Sequence, residues 1–356
     1  MLPERIYQEW IYQECPGMSV AHRDAAFVRQ CELTKPTGAL GRLEVIAIEL
    51  AGLQHTDRPR AACAPIIIFA GDHGIAAQGV SAYPQDVTIA MMANFAAGGA
   101  AISVLARELG SSLEVVDAGT LAEAPVPGVV TDKPRRGSLD FSRGAALEAA
   151  DVGFAFDCGQ RAVARAAASA PDILILGEMG IGNTTSAAAI AAALLGERAE
   201  TITGSGTGLD AAGRERKARL IAAALAYHGL APDAPPERIL CAVGGLEIAA
   251  ICGAIIAAAQ RRIPILVDGF IVSVAALVAS RLNPSCRRFL IFSHRSAEQG
   301  HRLVLDALDA RPLLDLDLRL GEGSGAAIAL PILRLACALH NGMATFAEAA
   351  VPGRAG

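Results

Sequence analysis

The sequence predicts an α/β protein in which a three-layer, mostly parallel Rossmann-like sheet carries helices on both faces, together with a small helical subdomain. From residue 60 onward, short apolar runs rich in β-branched residues alternate with alanine-rich helical stretches. The runs are almost continuously apolar, as is typical of strands buried on both faces, and their alternation with helices is typical of parallel βαβ units. The hydrophobic fraction of 53% and the charged fraction of 19% agree with a large core.

Six apolar runs are predicted to form the strands, at 66–70, 113–117, 173–176, 239–243, 265–268 and 289–293. Polar or glycine residues lie at their carboxyl ends: Asp72 and His73, Asp117, Gly177 and Glu178, Gly244 and Gly245, Asp268, and Ser293 and His294. Each of them alone fits a helix cap or a turn. Because doubly wound sheets bind ligands at the carboxyl ends of their strands, we expect a site at this edge.

Residues 1–58 are predicted to form the helical subdomain, because they have helical periodicity and no strand pattern. A C-terminal helix over 336–356 is expected to join it, which leaves 59–335 as the α/β domain that would carry any catalysis. Residues 87–106 contain no charge and are long enough to span a bilayer. The glycine pair at 98–99 favours two buried helices instead, so no membrane span is expected.

Composition disfavours several classes of partner. The net charge is −5 at pH 7 and no basic stretch alternates with aromatic residues, so nucleic-acid binding is not expected. The eight cysteines form no CxxC pair and show no zinc-like spacing, so they are interpreted as buried hydrophobic residues in a reducing compartment. The first residues, "MLPERIYQEW", lack the basic and apolar regions of a signal peptide, and we therefore expect a cytoplasmic protein.

Two glycine-rich loops are candidate binding elements. In "TITGSGTGLDAAGRERK", which covers 201–217, backbone amides and Lys217 favour a phosphate group, and a flexible connection is the alternative. In "GEGSGA", which covers 321–326, the letters match the dinucleotide fingerprint, but no βαβ unit follows, so a dinucleotide cofactor is disfavoured. Glu322 in this loop and Glu178 would form a carboxylate pair suited to chemistry at an anomeric carbon.

Eight segments occur in a characteristic order: "TKPTGALGRLE" (34–44), "FAGDHGIAAQGVSAYP" (69–84), "GEMGIGNTTSAAA" (177–189), "GSGTGLD" (204–210), "VGGLEIAAICGAI" (243–255), "IPILVDGF" (263–270), "SHRSAEQGH" (293–301) and "LRLGEGSGAA" (318–327). Together they resemble the nicotinate-nucleotide–dimethylbenzimidazole phosphoribosyltransferase family of cobalamin lower-ligand biosynthesis. The resemblance implies that nicotinate mononucleotide and 5,6-dimethylbenzimidazole give α-ribazole 5′-phosphate and nicotinate, with inversion at the anomeric carbon. It also implies a homodimer and no metal or redox cofactor.

The resemblance further implies roles for individual residues. Glu322 is expected to be the general base that takes the N–H proton of the attacking benzimidazole, in an ionised form favoured by its position at a helix start. Glu178 is expected to contact the ribose or to stabilise an oxocarbenium-like transition state. The substrate-binding residues are expected to be Gly177, Gly204, Ser205, Gly206, Thr207, Lys217, Ser293, His294, Gly323, Ser324 and Gly325, with Tyr83 and Pro84 as a wall of the base pocket. Asp72 and Asp268 are interpreted as organisers of their turns.

Two rival functions stay open. The first is a metal-dependent hydrolase of a nucleotide or sugar phosphate, because Asp72, His73 and Asp268 would offer oxygen and imidazole ligands. No HExxH or EF-hand spacing supports a metal, and turn residues are the favoured interpretation. The second is a non-catalytic nucleotide-binding protein with a degenerate site, which the intact loop around Glu322 disfavours.

Overall fold

The computed structural model describes residues 8–206, 208–231 and 233–352. They form a sheet of six strands, β1 (Ile66–Gly71), β2 (Leu113–Gly119), β3 (Val130–Thr131), β4 (Leu174–Met179), β5 (Ile265–Val267) and β6 (Leu290–Phe292). The strand order is β3-β2-β1-β4-β5-β6 and all five pairings are parallel. The order reverses between β1 and β4, so the connections after these strands diverge and leave a crevice. The predicted α/β class is confirmed.

Helices cover both faces of the sheet. In chain order they are α1 (Val20–Glu32), α2 (Arg42–Gln54), α3 (Val87–Ala97), α4 (Ala101–Leu109), α5 (Ala149–Ala167), α6 (Asn183–Leu195), α7 (Ala199–Ile202), α8 (Ala211–Tyr227), α9 (Pro236–Val243), α10 (Leu246–Gln260), α11 (Phe270–Leu282), α12 (His301–Ala307) and α13 (Ser324–Gly342). Short 3₁₀ helices occur at Glu9–Tyr12, Gly74–Gln78 and Pro284–Phe289.

Successive residues of β1 point to opposite faces and contribute to two separate cores. Ile67 and Phe69 belong to the larger core, which they share with α5, α6, α9, α10 and α11. Ile66 and Ile68 belong to the second core, which they share with α2, α3, α4 and α13. The sheet is therefore the middle of three layers, and both of its faces are buried. Burial on both faces explains why its strands do not alternate polar and apolar residues.

Five of the six predicted strands are present, but the prediction of a strand at 239–243 is wrong. These residues lie in α9, which has Pro236 in its first turn. Ile239, Leu240 and Val243 are fully buried at the i, i+1 and i+4 positions of one helix face. A short apolar run fits a buried helix face as well as a strand, so the pattern alone could not separate them.

Two apolar stretches, Val87–Leu109 and Ser324–Gly342, have the length and composition of a membrane-crossing helix. The first is in fact two helices, because Gly98 ends α3 with a φ of +85° and α4 begins three residues later. This break was predicted from the glycine pair. The second is α13, which packs against α2, α4 and the sheet. Core helices of globular proteins pass the same test of length and composition.

The helix predicted over 336–356 ends earlier, at Gly342. After it the backbone turns toward the end of α1, where Thr34 donates to the carbonyl of Ala344 and Phe346 donates to that of Glu32. Glycine is a poor helix former, and these backbone bonds to α1 replace the helical ones. Residues 346–350 form turns.

Candidate active site

A cavity of about 270 Å³ opens at the carboxyl ends of β4, β5 and β6. Five of the predicted residues line it, namely Tyr83, Glu178, Gly206, His294 and Glu322. The remaining lining residues are Met179, Gly180, Ile181, Asn183, Thr184, Asp268, Gly269, Phe270, Ile271, Val272, Ser296, Glu298, Arg319, Leu320 and Gly321. The cavity therefore lies at the sheet edge where the strand pattern places a ligand.

Glu322 has a left-handed backbone with a φ of +62°, between Gly321 at +84° and Gly323 at +75°. Three consecutive residues of this hand turn the chain sharply before α13 begins at Ser324. Left-handed conformations are easy for glycine and costly for other residues, so the two glycines make this turn possible around a glutamate. A Cβ on Gly321 would also lie 2.3 Å from Oε1 of Glu178. The lack of a side chain at Gly321 therefore lets the carboxylates of Glu178 and Glu322 reach the same cavity.

Two further predicted glycines allow close packing around the glutamate loop. A Cβ on Gly177, in β4, would lie 2.5 Å from the amide nitrogen of Gly323 and 2.6 Å from the carbonyl carbon of Glu322. A Cβ on Gly325 would lie 2.2 Å from Nδ1 of His294. Neither glycine lines the cavity. In this structure they let the loop rest directly on the strand and on the histidine ring.

Asp268 holds the amino terminus of α13. Its carboxylate accepts hydrogen bonds from the amides of Gly323 (3.1 Å) and Ala326 (2.9 Å). The amide and the hydroxyl of Ser324 both donate to the carbonyl of Gly321. The amides of Gly323 and Ser324, two of the expected substrate-binding residues, thus have partners in Asp268 and Gly321. The sequence suggests that Asp268 organises its own turn; in the structure its carboxylate organises the turn before α13, in another segment of the chain.

His294 lies behind the glutamate loop and is almost fully buried. Its Nδ1 is 2.9 Å from Oγ of Ser293 and 3.9 Å from Oδ1 of Asp268. Burial lowers the pKa of His294, so the ring is neutral near pH 7. Ser293 is fully buried and lies outside the cavity lining, where it orients the histidine.

The carboxylates of the cavity hold their protons more tightly than ordinary ones. Burial raises the pKa of Glu322 to about 6, against an opposing contribution from the backbone amide of Ile102. Burial, followed by the charges of Asp268, Glu247 and Glu322, raises the pKa of Glu178 to about 8. We expected the helix start to favour the ionised form of Glu322; its pKa moves in the opposite direction, because desolvation outweighs the nearby amides.

The two glutamates differ in their contacts. Oε2 of Glu178 accepts a hydrogen bond from the side-chain amide of Asn183, at the start of α6. Oε2 of Glu322 is buried and has no hydrogen-bond partner among the residues that the structure describes. A carboxylate with a free oxygen in a cavity and a pKa of about 6 is still mostly ionised at pH 7 and can accept a proton.

The glycine loop and Lys217 lie beside the cavity. Lys217 is 1% exposed, and its Nζ donates to Oγ1 of Thr184 at 2.7 Å. Burial lowers the pKa of Lys217 to about 8, partly offset by the charge of Glu298. Gly206 packs next to both Thr184 and Lys217, since a Cβ there would lie 2.7 Å and 3.2 Å from their terminal atoms. Thr207 lies outside the described residues.

A second cavity of about 450 Å³ adjoins the first and shares Glu298 and Arg319 with it. Gly204 and Ser205 line this second cavity together with Arg214. Pro84 is exposed and lines neither cavity, whereas its neighbour Tyr83, 56% exposed, reaches the first one.

Several lining residues were not predicted from the sequence. Asn183 and Thr184 begin an otherwise alanine-rich helix, and the polar residues in "GIGNTTS", just after a predicted strand end, were a usable signal. Phe270 and Arg319 carry no such signal. In the described part of the chain, no three His, Cys, Asp or Glu side chains are grouped so as to hold a metal ion.

A buried pair connects the carboxyl end of β1 to the first turn of α10. Nε2 of His73 lies 2.7 Å from Oε1 of Glu247, and both side chains are fully buried. Gly245 makes room for the ring, because a Cβ there would lie 2.2 Å from Cε1 of His73. Asp72 accepts from the amide of Leu121 and so ties the same turn to β2. These residues shape the crevice without lining the cavity.

Comparison with known proteins gives the same assignment throughout. A family model described as "Phosphoribosyltransferase" matches residues 15–351. The nicotinate-nucleotide–dimethylbenzimidazole phosphoribosyltransferase of Bradyrhizobium diazoefficiens is 74% identical over 99% of both chains, and that of Pseudomonas putida W619 is 55% identical over 97% of this chain and 98% of its own. The crystal structure of the Thermus thermophilus enzyme of the same name has a TM-score of 0.89 at 42% identity, covering 95% of this chain and 100% of its own. The chain therefore belongs to the nicotinate-nucleotide–dimethylbenzimidazole phosphoribosyltransferase family.

Proposed function

We propose that the protein transfers the phosphoribosyl group of nicotinate mononucleotide to 5,6-dimethylbenzimidazole, with inversion at the anomeric carbon, and that Glu322 is the general base. One observation carries the assignment of the base. Glu322 combines a buried carboxylate oxygen without a described partner, a place in the cavity and a pKa of about 6. The relatives named above supply the substrates, because their names state both of them.

In the proposed reaction a benzimidazole nitrogen forms a bond to the anomeric carbon of the ribose. The bond from that carbon to the pyridinium nitrogen breaks, and its electron pair returns to the ring, so nicotinate leaves without being protonated. The nucleophile enters from the face opposite the leaving group, which converts a β-linkage into an α-linkage. The remaining N–H proton of the benzimidazole passes to Glu322, and general-base catalysis of this kind contributes roughly 10²–10⁴-fold.

The acidic lining of the cavity suits this chemistry. Glu178, Asp268 and Glu322 converge on it, and both the pyridinium substrate and an oxocarbenium-like transition state carry positive charge. Glu178 is largely protonated at pH 7, because its pKa is about 8. A cation beside this group favours its ionised form, so substrate binding would draw the proton away. We propose that Glu178 contacts the ribose and stabilises the charge that develops there.

The nucleotide phosphate is proposed to bind beside Lys217, which has no acidic partner within hydrogen-bond distance in the described residues and packs on Gly206. Gly204 and Ser205 line the adjoining cavity, and Arg319 lines both cavities. Thr207, close to them in the sequence, is proposed to bind the phosphate with them. Tyr83 and Pro84 are proposed to border the benzimidazole, with Phe270 and Ile271 as apolar lining. His294 lines the cavity and is proposed to contact the nucleotide, and five residues are proposed to support the site from behind: Gly177, Ser293, Gly323, Ser324 and Gly325.

The experiment incubates purified protein with nicotinate mononucleotide and 5,6-dimethylbenzimidazole and follows nicotinate and α-ribazole 5′-phosphate by chromatography, with NMR of the anomeric proton for stereochemistry. Glu322→Gln should abolish turnover and retain nucleotide binding, because the amide keeps the shape and cannot accept the proton. Glu108→Gln, on the exposed side of α4, is the matched control. Near-normal turnover by Glu322→Gln refutes the base; wild-type protein that releases no nicotinate refutes the reaction.

We also propose a cytoplasmic homodimer in which 1–58 and the C-terminal segment 336–356 form a helical subdomain on the catalytic domain 59–335. The contacts of α1 with α2 and of α2 with α13 support the subdomain. Light scattering of the purified protein tests the oligomeric state, and a monomeric mass would contradict the dimer.

A further inference from the structure

A cavity of about 380 Å³ lies at the edge of the sheet opposite to the candidate active site. Four arginines line it, Arg58, Arg60, Arg261 and Arg262, together with Gln54, Thr56, Pro171 and Asp172. We call it the arginine cavity. Asp172 precedes β4 and Glu178 lies near the far end of that strand. Six extended residues at about 3.3 Å each separate the arginine cavity from the catalytic end by about 20 Å.

The positive charges of the arginine cavity exceed the negative ones. Among the residues that the structure describes, Asp172 is the only acidic one in its lining. One carboxylate oxygen of Asp172 accepts from the amide of Cys63 at 2.8 Å, and the other is 3.8 Å from Nε of Arg60. Helices α2 and α10 both end here, and each helix end contributes about −0.5 charge. Four guanidinium groups against one carboxylate and two helix ends leave a balance of about +2, on a chain with a net charge of −5.

The guanidinium groups have partners in the protein, but most of their N–H donors stay unused. Arg58 donates to the carbonyl of Asn341 at 3.0 Å, and Arg261 donates to that of Ala257 at 3.1 Å. Arg262 contacts Nδ1 of His55 at 3.3 Å. Each of these contacts uses one terminal nitrogen, while a guanidinium carries five N–H donors in a planar fork. The remaining donors therefore stay available to a planar or tetrahedral oxyanion, and phosphate is the group that such forks bind in bidentate fashion.

Arg262 occupies a backbone position that favours glycine. It follows α10 with a φ of +59°, a left-handed conformation that costs a non-glycine residue roughly 1–2 kcal/mol. Glycine is the usual residue just after a helix end, and it would remove this cost. The chain instead places a cation there, directed at the arginine cavity. Arg262 therefore adds a fourth guanidinium group to the lining of the arginine cavity.

We propose that the arginine cavity binds a small phosphate-bearing anion, separately from the nucleotide bound at the catalytic cavity. The excess of about two positive charges matches a phosphate monoester or a diphosphate group better than a carboxylate. The proposal does not depend on the function proposed above, because none of its residues lines the catalytic cavity.

The test titrates pyrophosphate into the full-length protein by calorimetry. Arg60→Ala combined with Arg261→Ala should weaken binding at least tenfold, because two charge-assisted donors are lost. Arg143→Ala combined with Arg302→Ala removes two arginines that are 79% and 80% exposed elsewhere on the surface, and should leave the affinity unchanged. Lys217→Ala removes the phosphate partner proposed for the catalytic cavity, so pyrophosphate binding that persists in this variant belongs to the arginine cavity. Thermal melting checks that each variant is folded.

Equal affinity of the wild-type protein and the Arg60/Arg261 variant would overturn the proposal, and so would the absence of binding at millimolar pyrophosphate. A second arm uses phosphatidylcholine vesicles with and without phosphatidylglycerol, because a lipid headgroup presents the same phosphate chemistry. Pyrophosphate binding without vesicle capture supports a soluble ligand. Capture by phosphatidylglycerol vesicles, lost in the Arg60/Arg261 variant and not accompanied by pyrophosphate binding, would overturn it in favour of a membrane surface.

Discussion

Replacing Gly177 by alanine tests whether the glutamate loop must rest directly on β4. The new Cβ would lie 2.5 Å from the amide nitrogen of Gly323 and 2.6 Å from the carbonyl carbon of Glu322. Both contacts are to backbone, so no side-chain rotation can relieve them. Gly177 has no left-handed φ, so alanine is compatible with the strand itself and any effect comes from crowding. The substitution therefore displaces the loop that carries Glu322.

The size of the displacement follows from the distances. Non-bonded carbon atoms attract best at about 3.5–4.0 Å, so contacts of 2.5 Å and 2.6 Å require the loop to move by about 1 Å. A misplacement of about 1 Å at a reacting group can cost about a hundredfold in rate. Overpacking of a buried site costs about 1–3 kcal/mol in the free energy of unfolding. We therefore expect Gly177→Ala to be folded, moderately destabilised and about a hundredfold slower.

The assay measures kcat/KM for nicotinate release and the free energy of unfolding by chemical denaturation. Gly144→Ala is the matched control, because a Cβ at Gly144 would meet no atom within 4 Å. If Gly177→Ala had the same kcat/KM as the Gly144→Ala control, the argument that the close packing at Gly177 positions Glu322 would be refuted. A large loss of stability with unchanged kcat/KM would assign Gly177 to folding alone.

Two further predictions concern protonation. We expect kcat/KM to rise with pH through about 6, because Glu322 has a pKa of about 6 and must be ionised to act as the base; a profile without this acidic limb would contradict the assignment. The folded protein holds a proton on Glu178 up to a pKa of about 8, whereas the ordinary value is 4.5, so the free energy of unfolding should fall as pH rises between these values. Glu322 contributes a slope of the same sign only up to its pKa of about 6, so Glu178→Gln should remove the slope between about pH 6 and pH 8 in denaturation series. An unchanged slope in that interval would show that another group is responsible.

The sheet was predictable because burial on both faces makes the strands apolar throughout. The runs at β1, β2, β4, β5 and β6 were each recognised from this pattern. The same reasoning failed at 239–243, because α9 is also buried over Ile239 and Leu240. β3 has only two residues, too few for any pattern to be visible.

The candidate site was partly predictable for a related reason. Glu178 and His294 stand at strand ends, and the topology brings such ends to one edge. Asn183 and Arg319 reach the cavity from a helix start and a loop, where the sequence resembles ordinary caps and surface. The close packing of Gly177 against the loop depends on contacts between segments about 145 residues apart, which no local pattern encodes.

At the left-handed turn around Glu322, stability and activity favour different residues. A glycine there would relieve a conformation that costs a glutamate roughly 1–2 kcal/mol. Selection of variants by thermal stability alone would therefore favour Glu322→Gly and discard the proposed base. A library of variants in this family that is screened for heat resistance therefore also needs an activity assay. In such a combined screen, the frequency with which glutamate is kept at position 322 measures how strongly activity is selected.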